Sequence, residues 1–91
     1  MANAIKFTEI FGKEISSYDG WNGDHKTITI DGISFCKESN EIIFTGKGYW
    51  GNEQKVYVPI LIVDELMEKG KTSATYEIDH CVIRKEWEFI N

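Results

Sequence analysis

From Lys26 the chain alternates. Lys26-Thr-Ile-Thr-Ile30 puts apolar and polar side chains on opposite sides of an extended strand, and after Asp31-Gly32 the stretch Ile33-Ser-Phe-Cys36 alternates again. A period of two marks a strand with one buried face. Asp-Gly suits a two-residue type I′ turn, because both central residues need positive φ. The pattern therefore predicts a hairpin in which Ile30 faces Ile33 and Ile28 faces Phe35. The polar cluster Glu38-Ser-Asn-Glu41 predicts another turn, followed by a strand over Glu41-Ile-Ile-Phe-Thr45. With Ser39-Asn40 as the loop, Phe35 would face Phe44, a favourable cross-strand pair. Gln54 to Val58 reads as a further strand whose register is left open, since Gly46 and Gly48 can mark a bulge.

At Pro59 the period changes. Proline suits a helix start, and Ile60-Leu-Ile-Val-Asp-Glu-Leu-Met-Glu-Lys69 continues with good helix formers. Ile60, Val63 and Met67 share one face, with Leu66 and Ile62 beside it, and Gly70 stands where a C-terminal cap is expected. A strand prolonged to Val63 with a shorter helix is the rival reading. Thr72 to Ile78 and Cys81 to Ile90 form a final hairpin around Asp79-His80, a weaker turn signal than Asp-Gly. At the N-terminus, Ala4, Phe7, Ile10, Phe11 and Ile15 fall on one helical stripe, although Gly12 weakens a helix there; Ile5, Phe7 and Phe11 also fit alternate positions of a strand. Together these elements predict one compact domain over residues 1–91. Its class is α+β: an antiparallel β-meander of about five to six strands, one main helix over residues 59–69, and a short N-terminal helix.

Composition adds exclusions. The chain is 42% hydrophobic and 13% aromatic, which supports a small core and argues against disorder. A formal charge of −5 repels a phosphate backbone, and the one basic pair, Arg84-Lys85, is fenced by Glu86 and Glu88, so general nucleic-acid binding is disfavoured. Met1 to Ile10 lacks the apolar run of a signal peptide, and Val56 to Val63 is far short of a membrane span. The expectation is a cytoplasmic protein with no membrane association and with reduced thiols at Cys36 and Cys81.

Chemistry-bearing residues are few. His25, Cys36, His80 and Cys81 supply zinc-type ligands but without C-x-x-C or H-x-x-x-H spacing, so no metal is assigned. Asp79-His80-Cys81 holds the residue types of a cysteine triad, yet neighbours in sequence rarely give its geometry, and neither thiol has a helix N-terminus or cationic cluster beside it to lower its pKa. Asp64 and Glu68, at i and i+4 on the helix, read as a solvated face, as do Glu86 and Glu88 on the last strand. No phosphate-binding glycine motif occurs. No catalytic residue and no cofactor are assigned.

Two aromatic, glycine-rich loops carry most of the functional signal: Tyr18-Asp-Gly-Trp-Asn-Gly-Asp24 and Gly46-Lys-Gly-Tyr-Trp-Gly-Asn52. Tyrosine and tryptophan are enriched in binding hot spots. Alternate loops of a meander gather at one end of the sheet, which would unite Tyr18, Trp21, Tyr49 and Trp50 in one patch edged by Asp19, Asp24 and Glu53, with Asn22, Asn52 or Asp24 placed to reach the polar groups of a small ligand. The competing reading folds these rings back over a thin core. The function expected is a small non-enzymatic protein-binding module, an inhibitor or regulator of a larger protein. In style alone it matches accessory proteins of phages or mobile elements and toxin-neutralising immunity proteins. The alternatives are a sugar- or nucleotide-binding domain in which Trp21 and Trp50 stack on the ligand, and a small enzyme using a histidine with a cysteine or carboxylate. A homodimer through an unpaired edge strand is compatible with each, although Arg84, Glu86 and Glu88 would blunt the last strand if it lay at the edge.

Overall fold

A computed structural model of the chain describes residues 7 to 90. A 3₁₀ turn at Phe7–Glu9 precedes β1 (Glu14–Asp19), β2 (Asp24–Cys36), β3 (Glu41–Lys47) and β4 (Glu53–Pro59). Helix α1 (Ile60–Lys69) then leads into β5 (Lys71–Ile78) and β6 (Cys81–Ile90). All six strands join one antiparallel sheet in the order β4-β3-β2-β1-β6-β5. The class is therefore the α+β meander that the pattern predicts. The last strand, however, is not an edge: β6 sits between β1 and β5, and β4 and β5 form the edges.

The Asp31-Gly32 hairpin does not form. β2 runs through both residues, pairing its first half with β1, where Ile28 faces Ile15, and its second half with β3, where Ile33 faces Phe44. Between Ile30 and Gly32 the register slips by one residue, a β-bulge. Neither Asp31 nor Gly32 has the positive φ that a type I′ turn requires. The sequence pattern misleads here for a simple reason. A two-residue turn and a one-residue bulge both bring Ile28, Ile30, Ile33 and Phe35 onto one face, so alternation cannot separate them. The continuous strand wins by recruiting Glu14–Asp19 as a partner, with Ile15 on one side of Ile28 and Ile30 beside it, all essentially inaccessible to solvent. Gly46 makes the bulge possible, because a Cβ there would lie 1.8 Å from the carbonyl oxygen of Thr29.

The N-terminal stripe is resolved differently too. The 3₁₀ segment stops at Glu9, Gly12 takes φ +90° in the turn that follows, and Ile15 belongs to β1; residues 1–6 of the expected helix lie outside the described residues. Backbone bonds from Gly12 N–H to Ile30 O and from Ile30 N–H to Lys13 O, both 2.9 Å, tie this segment to the bulge and carry Ile10 into the core.

The β2–β3 turn spans four residues rather than two. Cys36 faces Glu41, and Phe35 faces Ile42 instead of Phe44. Phe44 is thereby centred in the core, where it meets Phe89 edge-on at 6.1 Å. The β5–β6 turn is tight despite its weak signal: Asp79 and His80 both take positive φ, and Ile78 faces Cys81.

Helix α1 follows its stop signals. Pro59 is its N-cap, Gly70 caps the C-terminus at φ +82°, and the Gly70 N–H bonds to Leu66 O. Val63, Leu66 and Met67 face the sheet, packing with Val56, Val58 and Trp87. Burial of such side chains contributes roughly 1.5–3 kcal/mol each. The helix carries the chain from the β4 edge to the β5 edge, so β6 can dock against β1.

Candidate functional site

The β3–β4 hairpin ends in five residues, Gly48 to Asn52, held by backbone bonds from Gly48 N–H to Asn52 O at 2.8 Å and from Gly51 N–H to Gly48 O at 3.0 Å. Gly51 takes φ +80°, where a side chain would be strained. The turn fixes the backbone and leaves its two rings outside. Tyr49 is 88% and Trp50 86% exposed, and the rings meet edge-on with centroids 4.9 Å apart. They brace each other and contribute nothing to the core cluster.

The first aromatic loop is built differently. Tyr18 is a β1 residue opposite His25, and the turn proper is Gly20–Gly23. Trp21 N–H donates to the Asp19 carboxylate at 2.9 Å, and Asp24 N–H donates to the Asn22 side-chain oxygen at 3.0 Å. Asp19 and Asn22 thus act as turn-forming side chains. Trp21 is 57% exposed. Asp24, opposite Asp19, lies with Lys26, Tyr76 and Lys85 around a small cavity of about 190 Å³. There Lys85 Nζ stands 4.0 Å from Asp19 Oδ2 and 5.4 Å from the centre of the Tyr76 ring. Burial, followed by the nearby Glu41 charge, raises the Tyr76 pKa above its ordinary value.

The two loops leave the same end of the meander but at different heights. The β1–β2 turn closes at Asp19–Asp24, whereas β3 ends with Lys47 opposite Thr29. From Asp24 to Thr29 is five residues along one strand, about 17 Å. Of the candidate binding residues, Tyr18 lies on the sheet, Trp21, Asn22 and Asp24 lie at one turn, and Tyr49, Trp50 and Asn52 lie at the other.

One feature escaped the sequence reading. A groove of about 450 Å³ runs past Ser16, Tyr18, His25, Arg84 and Glu86 of the sheet to Glu65 and Lys69 of α1. Within it Ser16 Oγ and His25 Nε2 lie 2.6 Å apart, and Arg84 Nε donates to Glu86 Oε2 at 2.7 Å. Ser16 and His25 meet only because β1 pairs with β2, and β1 was not anticipated; its segment Glu14–Asp19 has a single aliphatic residue to betray it. Neither this groove nor the smaller cavity is lined by Trp21, Tyr49 or Trp50.

The zinc-type residues do not converge. His25 and Cys36 stand near opposite ends of β2, His80 and Cys81 lie at the β5–β6 turn, and no metal-ligating group of three or more occurs among the described residues. Hydrogen bonds from Ser39, first by its side chain and then by its backbone, lower the Cys36 thiol pKa. Among the described residues no helix is long and apolar enough to cross a membrane. Comparison of the chain with protein-family models, curated proteins and solved structures returns no match.

Proposed function

We propose that this protein is a non-enzymatic protein-binding module, an inhibitor or regulator of a larger protein, and that it docks through the Tyr49–Trp50 tip. The observation behind the reading is that pair's exposure. Two large rings stand almost wholly in solvent on a hydrogen-bonded turn, although the core has no use for them. Aromatic anchors of this kind supply much of the contact energy at interfaces when they enter a pocket on the partner. The turn's two backbone hydrogen bonds and the contact between the rings favour one arrangement of the tip, which lowers the entropic cost of binding. Lys47 and Glu53, facing each other at the base of the tip, supply a polar rim.

The test is capture from a lysate of the source organism with wild type, Tyr49→Ala/Trp50→Ala and Trp21→Ala, repeated with the purified partner. The reading expects a stoichiometric partner that the tip variant loses and the Trp21 variant keeps. A partner retained in full by the tip variant, or none at all, would overturn it.

A second reading attaches to the groove beside Ser16, favoured by the Ser16–His25 contact. It makes the groove a site for a small polar ligand, with Tyr18 as a stacking surface. That ligand would perturb the His25 ring resonances and leave the tip resonances unmoved.

A further inference from the structure

The two edges of the sheet are finished differently. Along β4 the residues turned away from β3 are Glu53, Lys55, Tyr57 and Pro59. They alternate with the hydrogen-bonded positions fixed by the Gly48 N–H to Asn52 O bond. That edge is guarded: Pro59 has no N–H, and Lys26 Nζ donates to the Lys55 carbonyl at 3.1 Å. Along β5 the same argument starts from Phe89 N–H to Gly70 O at 2.8 Å. It makes Thr72, Ala74, Tyr76 and Ile78 the residues bonded to β6, and it turns the N–H and C=O groups of Lys71, Ser73, Thr75 and Glu77 outward. This edge has no proline and no bulge, and its eight residues keep one register from end to end.

We infer that β5 pairs with β5 of a second copy of this chain, antiparallel about a two-fold axis at Ala74, joining the two sheets into one. Register and charge both select this partner. An edge-to-edge pair must join outward-turned residues to each other. Of the two-fold registers that do so, the one centred on Ala74 uses all four: Lys71 faces Glu77 of the second copy, and Ser73 faces Thr75. Four such pairs give roughly eight backbone hydrogen bonds. The two-fold repeats the Lys71–Glu77 pairing at both ends, so opposite charges meet twice. Neither residue has an ion-pair partner within the chain among the described residues, and both are exposed. Within its own sheet Lys71 faces Glu88, so in the dimer it would stand between two carboxylates. Alanine, the smallest side chain of the strand, falls on the axis, where the two copies come closest. Registers centred on Ser73 or Thr75 lose an outward pair and leave the charges unmatched.

Sedimentation equilibrium on the full chain at low salt tests this, with thermal melts to confirm that each variant folds. The wild type should be a dimer that weakens with added salt. Lys71→Glu or Glu77→Lys turns two attractive cross-strand pairs into two repulsive ones and should raise the dimer Kd about tenfold or more. The exchange Lys71→Glu/Glu77→Lys should restore it. A wild type that is monomeric at millimolar concentration, a dimer indifferent to both single reversals, or one that the exchange fails to restore would overturn the inference. So would a dimer abolished by Tyr49→Ala/Trp50→Ala while both charge reversals leave it intact.

Discussion

Trp50 and Trp87 offer the same perturbation in two environments. At 86% exposure, Trp50 has about a seventh of its surface covered, chiefly by Tyr49. On a side chain of roughly 250 Å² that is about 35 Å², worth just under ~1 kcal/mol at ~25 cal/mol per Å². Trp87 is 5% exposed within the core cluster. The same arithmetic gives ~6 kcal/mol as an upper bound, and truncation of buried aromatic side chains typically costs about 3–5 kcal/mol. A domain of this size loses about 4–8 °C of Tm per kcal/mol. Trp50→Ala should therefore melt within about 7 °C of wild type with an unchanged urea m value. Trp87→Ala should lose more than about 12 °C or fail to fold. Urea and thermal unfolding followed by far-UV circular dichroism decide it without relying on tryptophan fluorescence. If Trp50→Ala costs as much as Trp87→Ala, the tip is part of the core in solution, and the case for it as a docking element fails.

Two further substitutions probe the fold that carries the tip. Gly46→Ala drives a methyl into backbone, 1.8 Å from Thr29 O and 2.7 Å from Thr29 C, so β2 or β3 must move; the expected loss is about 2–4 kcal/mol, and a Tm within about 3 °C of wild type would contradict the bulge geometry. Tyr76, whose pKa is raised in the fold, holds its proton more tightly there than in the unfolded chain. Its stabilising contribution is thus whole below the ordinary tyrosine value and lost as pH rises through the folded one. Urea midpoints measured between about pH 9 and pH 11 should fall more steeply for wild type than for Tyr76→Phe, and parallel curves would refute the assignment.

What was legible in the sequence follows from which signals are local. Pro59 and Gly70 bracket α1, and a helix keeps its hydrogen bonds within its own segment, so residues 60–69 could be read from the chain alone. β5 and β6 declare themselves by length and alternation, and they close on a two-residue turn even though Asp79 and His80 must both adopt positive φ. β2 was misread because parity along Ile28, Ile30, Ile33 and Phe35 is indifferent to whether the chain reverses at Asp31 or bulges there. The arbiter was a distant one, the pairing with Glu14–Asp19, whose sequence shows a single aliphatic residue. That omission propagated. Without β1, neither the Ser16–His25 contact nor the five-residue offset between the aromatic loops could be seen. Tyr49 and Trp50 were legible as candidates, because exposed aromatics in a glycine-rich turn need no knowledge of the rest of the sheet.

Photo-crosslinking from position 50 tests the docking claim most directly. Benzoylphenylalanine in place of Trp50 keeps an aromatic group at the tip, and irradiation in a lysate of the source organism reports what lies against it. The account predicts one dominant protein adduct, lost when unlabelled wild type is added in excess and absent when the same group replaces Trp21. An irradiated tip that captures nothing, or a spread of proteins that excess wild type does not displace, would contradict it.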